Sequence, residues 1–261
     1  MKNGLKGLVM LSLAYFLFSR ITSGTLFFYI NNRFAWLTFL AVIGFFVVAL
    51  GYLYRARLVR DMLAAGEDDE HDHHHDHGHE HDHDHGHTHE HNLSRVGLVL
   101  VMLPVILGLL VPASPLGATA MGNREVSVGR LSSAMAPRDS RVATSNREKN
   151  LLDWLMTFDG SADPAAFDGQ EAKLTGFVYR DSRHGDDTFM LSRFVVSCCV
   201  ADAAPIGLIV QWPEAGALAN DQWVEVAGEF AAGEFDGRAM PLLIAGTVTP
   251  TAMPNQPYLF P

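Results

Sequence analysis

The chain has 261 residues, of which 48% are hydrophobic, and a formal net charge of −10. Ten of its 29 acidic residues fall in the segment 67–91, so the other 19 balance the 19 basic residues, and no basic surface for a nucleic-acid partner is indicated. Its two cysteines, which are adjacent, are too few for a disulfide-stapled scaffold or a four-cysteine zinc ribbon.

Three apolar segments are predicted to cross a lipid bilayer. They run from about Leu5 to Gly24 or beyond, from Phe34 to Tyr54, and from Val96 to Val111. A bilayer core needs roughly 20 apolar residues, which the second segment supplies. The third is short and contains Pro104, which a membrane helix tolerates. The first could alternatively be a signal peptide, but no small-residue cleavage site follows it.

Basic residues predict the orientation of a multi-pass protein of the plasma membrane. If all three segments cross, the N-terminus and the chain between the second and third segments share one side, and the opposite short loop holds only Arg33. The positive-inside rule makes the first side cytoplasmic and everything after about Pro112 extracytoplasmic. If the third segment lies on the membrane surface instead, the C-terminal domain is cytoplasmic. The basic residues of the cytoplasmic side are Lys2, Lys6, Arg55, Arg57, Arg60 and Arg95.

Arg20 lies near the end of the first segment and has two interpretations. Its flexible stem would let the charge reach the outer interface. Alternatively, it is an intramembrane charge paired with a partner protein, because Ser19, Thr22 and Ser23 beside it can form interhelical hydrogen bonds.

A histidine-rich run occupies most of the linker 61–94. Almost every second residue is an imidazole, and the residues between are mostly Asp, Glu or Gly. These donors suit divalent transition metals, so the run is predicted to bind zinc, with nickel, cobalt or copper as alternatives. Such a composition cannot bury enough apolar surface to fold alone, which predicts a mobile, solvated loop. The predicted ligands are His71, His73, His74, His75, His77, His79, His81, His83, His85, His87, His89 and His91.

The fold class predicted for the whole chain is an α-helical membrane anchor followed by a mainly-β domain. The anchor comprises a helix pair in residues 1–60 and a third helix in residues 95–113, and a linker at 114–146 leads to a soluble domain at 147–261. In that domain NLLDWLMTF predicts an amphipathic helix capped by Asn150.

Five strand-like runs follow this helix. Three glycines inside them, Gly176, Gly228 and Gly246, permit the bends of a small closed barrel. An OB-like barrel is the first expectation and a small β-sandwich the second. The runs are EAKLTGFVYR, DTFMLSRFVV, PIGLIVQW, QWVEVAGEF and PLLIAGTVTP.

The motif SRFVVSCCVADAAPIG contains the two cysteines. Successive strand residues point to opposite faces, so Cys198 and Cys199 could share a metal only if the chain turns there, as Ala-Asp-Ala-Ala-Pro after them predicts. Three interpretations stay open. The first is a metal or thiolate site that includes Asp202, and the second is a strained vicinal disulfide in an oxidising compartment. The third is a pair of small buried residues that close a strand.

The RDSRHGDD turn could supply further ligands. His184 is the only histidine outside the histidine-rich run, and Asp181, Asp186 and Asp187 lie beside it. The composition of turns favours an exposed histidine among acids over a ligand. The common nucleophile, phosphate-binding, zinc-protease and dinucleotide motifs do not occur in the sequence, so an enzyme is not expected.

Six features occur together over nearly the whole chain. They are YINNR between the first two apolar segments, the His/Asp-rich run, PASPLGA after the third segment, LTGFVYRD, RFVVSCCVADA and the terminal PYLFP. Together they resemble the YcgQ-like family of membrane permease subunits, and SCCVADA is the most specific part. The resemblance implies a separate multi-spanning permease as partner and, for some members, a link to zinc starvation. Cys198, Cys199 and Asp202 carry over as motif positions.

These features predict an accessory subunit of a membrane permease for a divalent transition metal, with zinc expected. The histidine-rich run would collect or buffer ions, and the β-domain would dock the permease or hand ions over through its cysteines. One alternative is a membrane-tethered metal buffer or sensor without a transport partner. Another is a structural assembly factor whose β-domain binds protein and whose metal loop is incidental.

Overall fold

The computed structural model describes residues 2–65, 95–122, 126–128, 145, 146, 148–161 and 163–261. The predicted ligands from His71 to His91 lie outside these residues. The chain divides into two compact units. The helical unit comprises residues 1–24 and 36–113, and the β unit comprises residues 25–35 and 114–261. The β unit therefore includes the loop that joins the first two helices.

In the part of the chain that the structure describes, the helical unit contains three helices, which overlap the three predicted segments. Two stretches, Gly4–Thr22 and Asn32–Met62, are long and apolar enough to cross a membrane, whereas Val99–Leu110 is shorter. The third helix has 16 residues, which extend about 24 Å, compared with the roughly 30 Å of a bilayer core. The helices are α1 (Lys2–Thr22), α2 (Ala35–Ala65) and α3 (Arg95–Leu110).

The contacts of α1 show in which direction α2 and α3 run relative to it. Gly7, early in α1, lies against Leu53 in the second half of α2. Further along, the Ser12 hydroxyl lies 3.4 Å from the sulfur of Met102 in α3. In its last turn, α1 contributes Arg20, which donates a hydrogen bond to Gly108 near the end of α3. Helices α1 and α3 therefore run in the same direction, and α2 runs against them.

Arg20 caps the C-terminal end of α3. Its guanidinium donates to the Gly108 carbonyl, one of the last carbonyls of the helix, which have no partner within the helix. A cation here also interacts favourably with the helix dipole. The same guanidinium lies 5.1 Å from the centre of the Phe16 ring. Neither sequence interpretation of Arg20 named α3 as its partner.

Large apolar side chains cover the outside of the helical unit. In α2, Trp36, Phe39, Ile43, Phe46 and Val47 are each at least half exposed. A contiguous apolar surface of this extent is typical of a protein that contacts lipid or another protein. The N-terminal helices therefore indicate membrane association.

The predicted helix of the β unit packs against its sheet. This helix, α5 (Leu151–Asp159), starts at Asn150, whose side chain accepts hydrogen bonds from the amides of Leu152 and Asp153. The Asp153 carboxylate accepts from the Asn150 amide in return, which completes a capping box. The buried rings of α5 contact the sheet, since the Trp154 and Phe230 ring centres are 4.6 Å apart.

The strands form one mixed sheet in the order β1-β4-β6-β5-β2-β3-β7, with an additional pairing between β3 and β4. Strand β4 is parallel to β6, while β2–β3, β3–β4, β2–β5 and β5–β6 are antiparallel. All five predicted runs are strands, numbered β2 to β6. The strands are β1 (Ser127–Val128), β2 (Glu171–Tyr179), β3 (Thr188–Val195), β4 (Ala204–Gln211), β5 (Trp223–Phe235), β6 (Arg238–Pro250) and β7 (Tyr258–Leu259).

Strands β5 and β6 are longer than predicted and continue to a tight hairpin. Asp236 and Gly237 form its turn, both with positive φ, as a two-residue hairpin turn requires. Lower in the hairpin, the register shifts between Ala227 and Gly228. A side chain at Gly228 would collide with the carbonyl of Ile244, so only glycine permits this bulge. The linker also contains a short helix, α4 (Ala118–Met121), and β1, neither of which was predicted.

The terminal PYLFP motif packs beside the end of β3. Strand β7 pairs with Phe194 and Val195. Preceding them, the buried Arg193 guanidinium donates to the carbonyls of Pro257 and Gln256 at 2.9 and 2.8 Å. Burial lowers the pKa of Arg193 to about 10. The strand pairing and the Arg193 hydrogen bonds thus hold the C-terminal segment against β3, the strand that leads into the cysteines.

Candidate functional site

The chain turns sharply at the two cysteines, as predicted. Strand β3 ends at Val195, and a single turn of 3₁₀-helix follows at Val200–Asp202. We call residues 197–202 the cysteine turn. Because the backbone has left the strand, the two side chains no longer point to opposite faces, and their sulfur atoms lie 3.6 Å apart.

The carboxylate of Asp202 organises the backbone of the cysteine turn. One of its oxygens accepts a hydrogen bond from the Ser197 amide at 3.0 Å. The other accepts from the amides of Cys198 and Cys199 at 2.7 and 3.4 Å. Three consecutive amides therefore point towards one carboxylate. This arrangement holds the turn in the conformation that brings the thiols together.

Both cysteines are free thiols at or near the surface. Cys198 is exposed and Cys199 half-buried. The interpretation of two small buried residues is therefore wrong, because these side chains lie beyond the end of the strand rather than within it. The second interpretation was a vicinal disulfide. In the structure both cysteines are free thiols.

The neighbours of the Cys198 thiol favour its protonated form. Its hydrogen bond to Asp202, followed by its contact with Cys199, raises the pKa of the Cys198 thiol to about 12. Partial burial raises the pKa of the Asp202 carboxyl, but the hydrogen bonds from the Cys198 thiol and the three amides lower it overall. A metal ion that binds these donors takes the place of the thiol protons, since thiolate is the ligand form.

The spacing of the donors suits a tetrahedral ion. The donor atoms of Cys198, Cys199 and Asp202 all lie within 4.8 Å of one another. Two thiolates on a tetrahedral zinc ion are about 3.8 Å apart, given a zinc–sulfur bond of about 2.3 Å, whereas a linear pair would be about 4.6 Å apart. The observed 3.6 Å between the sulfurs is close to the tetrahedral value.

The loop between α1 and α2 contacts the cysteine turn within the β unit. Ile30 forms an antiparallel bridge with Cys199. The Asn31 amide donates to the Cys198 carbonyl at 3.0 Å, and the Asn31 side chain donates to the Ser197 carbonyl at 2.9 Å. The Tyr258 hydroxyl donates to the carbonyl of Phe28 in the same loop. The YINNR and PYLFP motifs therefore both meet at this site.

The acidic and histidine side chains of the RDSRHGDD turn, which the structure describes, are not brought to the cysteine turn. In the described parts of the chain, the only group of potential metal donors at metal-binding distances is Cys198, Cys199 and Asp202. His184 and its acidic neighbours do not join it.

His184 is buried, which corrects the expectation of an exposed turn histidine. Its ring is 5.1 Å from that of Phe235, and its Nδ1 lies 3.1 Å from the Asp181 carboxylate. Phe235, on strand β5, is distant in sequence from the turn, so the composition of the turn alone could not reveal it.

Asn31 is the residue of the site that sequence reasoning missed. It lies 166 residues from its partner Ser197. YINNR stood out as a motif, but no local pattern connects it to the cysteines. Only the folded contact does so.

Comparisons with known proteins identify related sequences. The DUF1980 N-terminal domain matches residues 5–127, and the DUF1980 C-terminal domain matches residues 136–261. A protein of Streptococcus mutans serotype c, named "Putative two-component membrane permease complex subunit", is 23% identical over 198 residues, which are 62% of this chain and 72% of that protein.

A second relative is the UPF0703 protein YcgQ of Bacillus subtilis. It is 22% identical over 99 residues, which are 37% of this chain and 35% of the relative. The resemblance to the YcgQ-like family is therefore confirmed. Since the two domain matches together span the membrane helices and the cysteine turn alike, the chain belongs to the DUF1980 family.

Proposed function

We propose that this protein is an accessory subunit of a membrane permease for a divalent transition metal, with zinc as the cargo. The observation that carries the proposal is the cluster of Cys198, Cys199 and Asp202, whose donor atoms lie within 4.8 Å of one another. The name of the S. mutans relative supports the permease part. Two thiolates and a carboxylate form a ligand set that zinc accepts.

The cluster suits transfer of an ion better than permanent storage. Structural zinc sites are closed by four protein ligands, whereas sites that exchange a ligand keep an open position. Three donors leave the fourth position to water or to a donor from a partner. The exposure of Cys198 lets such a donor approach. The role is binding and transfer, without an enzymatic step.

Observations made separately in each unit support the proposal of three membrane crossings. In the helical unit, α1 and α3 run in the same direction and α2 runs against them, as three successive crossings require. In the β unit, the loop between α1 and α2 contacts the cysteine turn, so the loop and the β-domain share one side. The chain between α2 and α3 then lies on the other side.

The distribution of basic residues indicates which of these two sides is cytoplasmic. Arg55, Arg57 and Arg60 follow the second apolar segment, whereas the loop between α1 and α2 carries only Arg33. By the positive-inside rule, the histidine-rich run is cytoplasmic and the cysteine turn is extracytoplasmic. The run would collect or buffer ions on one side, and the cysteine turn would receive or deliver them on the other.

We interpret the sheet of the β unit as an OB-like barrel. Each of the strands β2 to β6 pairs with two others in the cyclic series β2–β3–β4–β6–β5–β2, and β4–β6 is the parallel pair. This is the strand order of a five-stranded Greek-key barrel. The cysteine turn connects β3 to β4 and would therefore lie at a rim of the barrel.

Metal content of the detergent-purified full-length chain tests the proposal. Inductively coupled plasma mass spectrometry would compare the wild type, a deletion of residues 71–91, and the double variant Cys198→Ser/Cys199→Ser. We expect the deletion to retain near-stoichiometric zinc and the cysteine variant to lose it. The exposed neighbour Ser197→Ala is the matched control, since its side chain is not among the donors. Loss of all tight metal on deletion of the run would contradict the proposal.

A partner is required for the permease part of the proposal. Co-purification of a multi-spanning membrane protein with the tagged chain would support it over a membrane-tethered buffer or sensor. Unchanged metal tolerance of cells that carry the deletion of residues 71–91 would instead favour a structural assembly factor, for which the run is incidental.

A further inference from the structure

We propose, resting on the metal role assigned above to the cysteine turn, that Asn31 is a positioning residue of that site. Through Asn31, metal occupancy of the turn is coupled to the loop between α1 and α2. This role gives the YINNR motif of the loop a place in the fold around the cysteines. It concerns regulation of the site rather than an additional ligand.

The loop holds the carbonyl edge of the cysteine turn. The carbonyl of Ser197 accepts from the Asn31 side chain at 2.9 Å, and that of Cys198 accepts from the Asn31 amide at 3.0 Å. Just beyond the second cysteine, the Val200 amide donates to the carbonyl of Tyr29 at 2.8 Å. These bonds lie on either side of both thiols.

Asp202 holds the opposite edge of the same peptides. It accepts hydrogen bonds from the amides of Ser197, Cys198 and Cys199. The backbone that carries the thiols is therefore bonded on its amide edge by Asp202 and on its carbonyl edge by the loop. Groups that orient ligands in this way raise metal affinity, because less conformational freedom is lost when the ion binds.

Asn31 itself is well placed to act as a fixed support. Its residue surface is only 8% exposed. While its Nδ2 donates to Ser197, its Oδ1 accepts from the amide of Arg33 at 2.9 Å and caps the short helix Asn32–Phe34. Both ends of the amide group are used, so the side chain has one defined orientation.

Coupling of this kind is reciprocal. If contact with the loop strengthens metal binding by a given factor, metal binding must strengthen the contact with the loop by the same factor. The loop is covalently continuous with α1 at one end and α2 at the other. Metal occupancy outside the bilayer thus has a direct route to the ends of two membrane helices.

The first test compares two single substitutions in the full-length chain. Asn31→Asp keeps an acceptor for the Arg33 amide but removes the donor to Ser197. We expect the Zn²⁺ affinity, measured by competition with a chromophoric chelator, to fall by roughly 10-fold to 100-fold, as for other residues that orient metal ligands. The added negative charge alone would strengthen cation binding. Asn32→Asp, at the exposed neighbouring position, adds the same charge and should not weaken binding.

A spectroscopic measurement separates positioning from general destabilisation. Co²⁺ in place of Zn²⁺ gives a thiolate charge-transfer absorption band, which reports sulfur ligation directly. We expect Asn31→Asp to require a correspondingly higher Co²⁺ concentration for the same band. A variant that binds Co²⁺ and Zn²⁺ as tightly as the wild type overturns the inference.

A second experiment uses only the wild-type chain and does not depend on folding of a variant. Hydrogen exchange of the amides of Asn31 and Val200 is measured with and without saturating Zn²⁺. We expect slower exchange of both amides with zinc, because an ion whose binding is strengthened by the loop contact must strengthen that contact in return. Unchanged exchange in protein shown to hold zinc at its cysteines overturns the coupling alone. Wild-type protein that binds no zinc at the cysteines overturns the proposed function and this inference with it.

Discussion

The cysteine turn and the histidine-rich run are both predicted to bind metal, but they differ in what would hold their donors in place. The run has twelve imidazoles, and the residues between them are mostly charged or glycine, which provide no apolar side chains for packing. The turn has three metal donors, and its backbone is held on one edge by amides that donate to Asp202 and on the other by Asn31, which donates to a carbonyl.

The two regions differ in how many ions they could hold and in how tightly they would hold them. Twelve imidazoles could fill at most about three all-histidine tetrahedral sites, with carboxylates extending the number. Nothing in the composition of the run orients those ligands in advance, so each ion must order them. In the cysteine turn the ordering is done by the fold. We therefore expect the run to hold several ions loosely and the turn to hold one ion more tightly.

The largest expected effect concerns the side of the membrane on which each region lies. A reporter active only outside the cytoplasm, fused after Pro261, should be active, and the same reporter inserted within residues 71–91 should be inactive. The physical reason is that α3 runs in the direction of α1 and returns the chain to the side of the loop. Activity of a cytoplasmic reporter fused after Pro261 would contradict three crossings.

The rate of metal loss to a chelator should distinguish the two regions next. We expect two phases when zinc-loaded protein is mixed with excess chelator, the slower at least roughly 10-fold slower, because differences in affinity reside mainly in dissociation rates. Deletion of residues 71–91 should remove the fast phase. Cys198→Ser/Cys199→Ser should remove the slow phase and leave the fast one. A single phase in the wild type would show that the regions do not differ in preorganisation.

A substitution of Asp202 should weaken zinc binding by the cysteine turn, so that its affinity comes closer to that expected of the histidine-rich run. In Asp202→Asn, an amide group replaces one acceptor oxygen, so either the amide of Ser197 or those of Cys198 and Cys199 lose their partner, and the site loses a charged donor. We expect the zinc affinity of the cysteine turn, which gives the slow phase, to fall by roughly 10-fold to 100-fold. Asp186→Asn, which changes a fully exposed carboxylate, is the control and should leave it unchanged. An affinity equal to that of the wild type would exclude an organising role for Asp202.

Local chemistry made much of the β unit predictable. Asn150 with Asp153 three residues later is a capping box, and the helix begins there. The run Ala-Asp-Ala-Ala-Pro after Cys199 predicted the turn, because proline and short polar residues interrupt a strand. The strands β5 and β6 were predicted too short, since the small residues on both sides of the Asp236–Gly237 turn weaken the alternation of polar and apolar residues.

Contacts between distant segments could not be predicted. Asn31 meets Ser197 across 166 residues, and Arg20 meets Gly108 across 88 residues. In both cases the donor is a polar side chain whose own neighbourhood indicates nothing about a backbone carbonyl elsewhere. Periodicity reports which face of an element is buried, but not which element covers it.

His184, a buried histidine outside the histidine-rich run, is the basis of the prediction with the smallest expected effect. Its ring packs between Tyr179 and Phe235, and its Nδ1 accepts from the Asp181 amide at 3.1 Å. Burial lowers the pKa of His184, although the Asp181 carboxylate opposes this effect. Arg183 in turn lowers the pKa of Asp181, so that carboxylate stays charged in the range where histidine titrates.

Stability should therefore decrease as the pH falls below about 6.5, the ordinary pKa of histidine, because the unfolded chain then binds a proton that the folded chain does not. Above that pH the contribution of His184 is fully present. A single proton limits the slope to about 1.4 kcal/mol per pH unit. The free energy of unfolding is measured at about pH 7.5 and about pH 5.5 in the chain that lacks residues 71–91, in which His184 is the remaining histidine. In the same background, His184→Gln should reduce the pH dependence, and a variant with the slope of its parent would show that His184 titrates alike in both states.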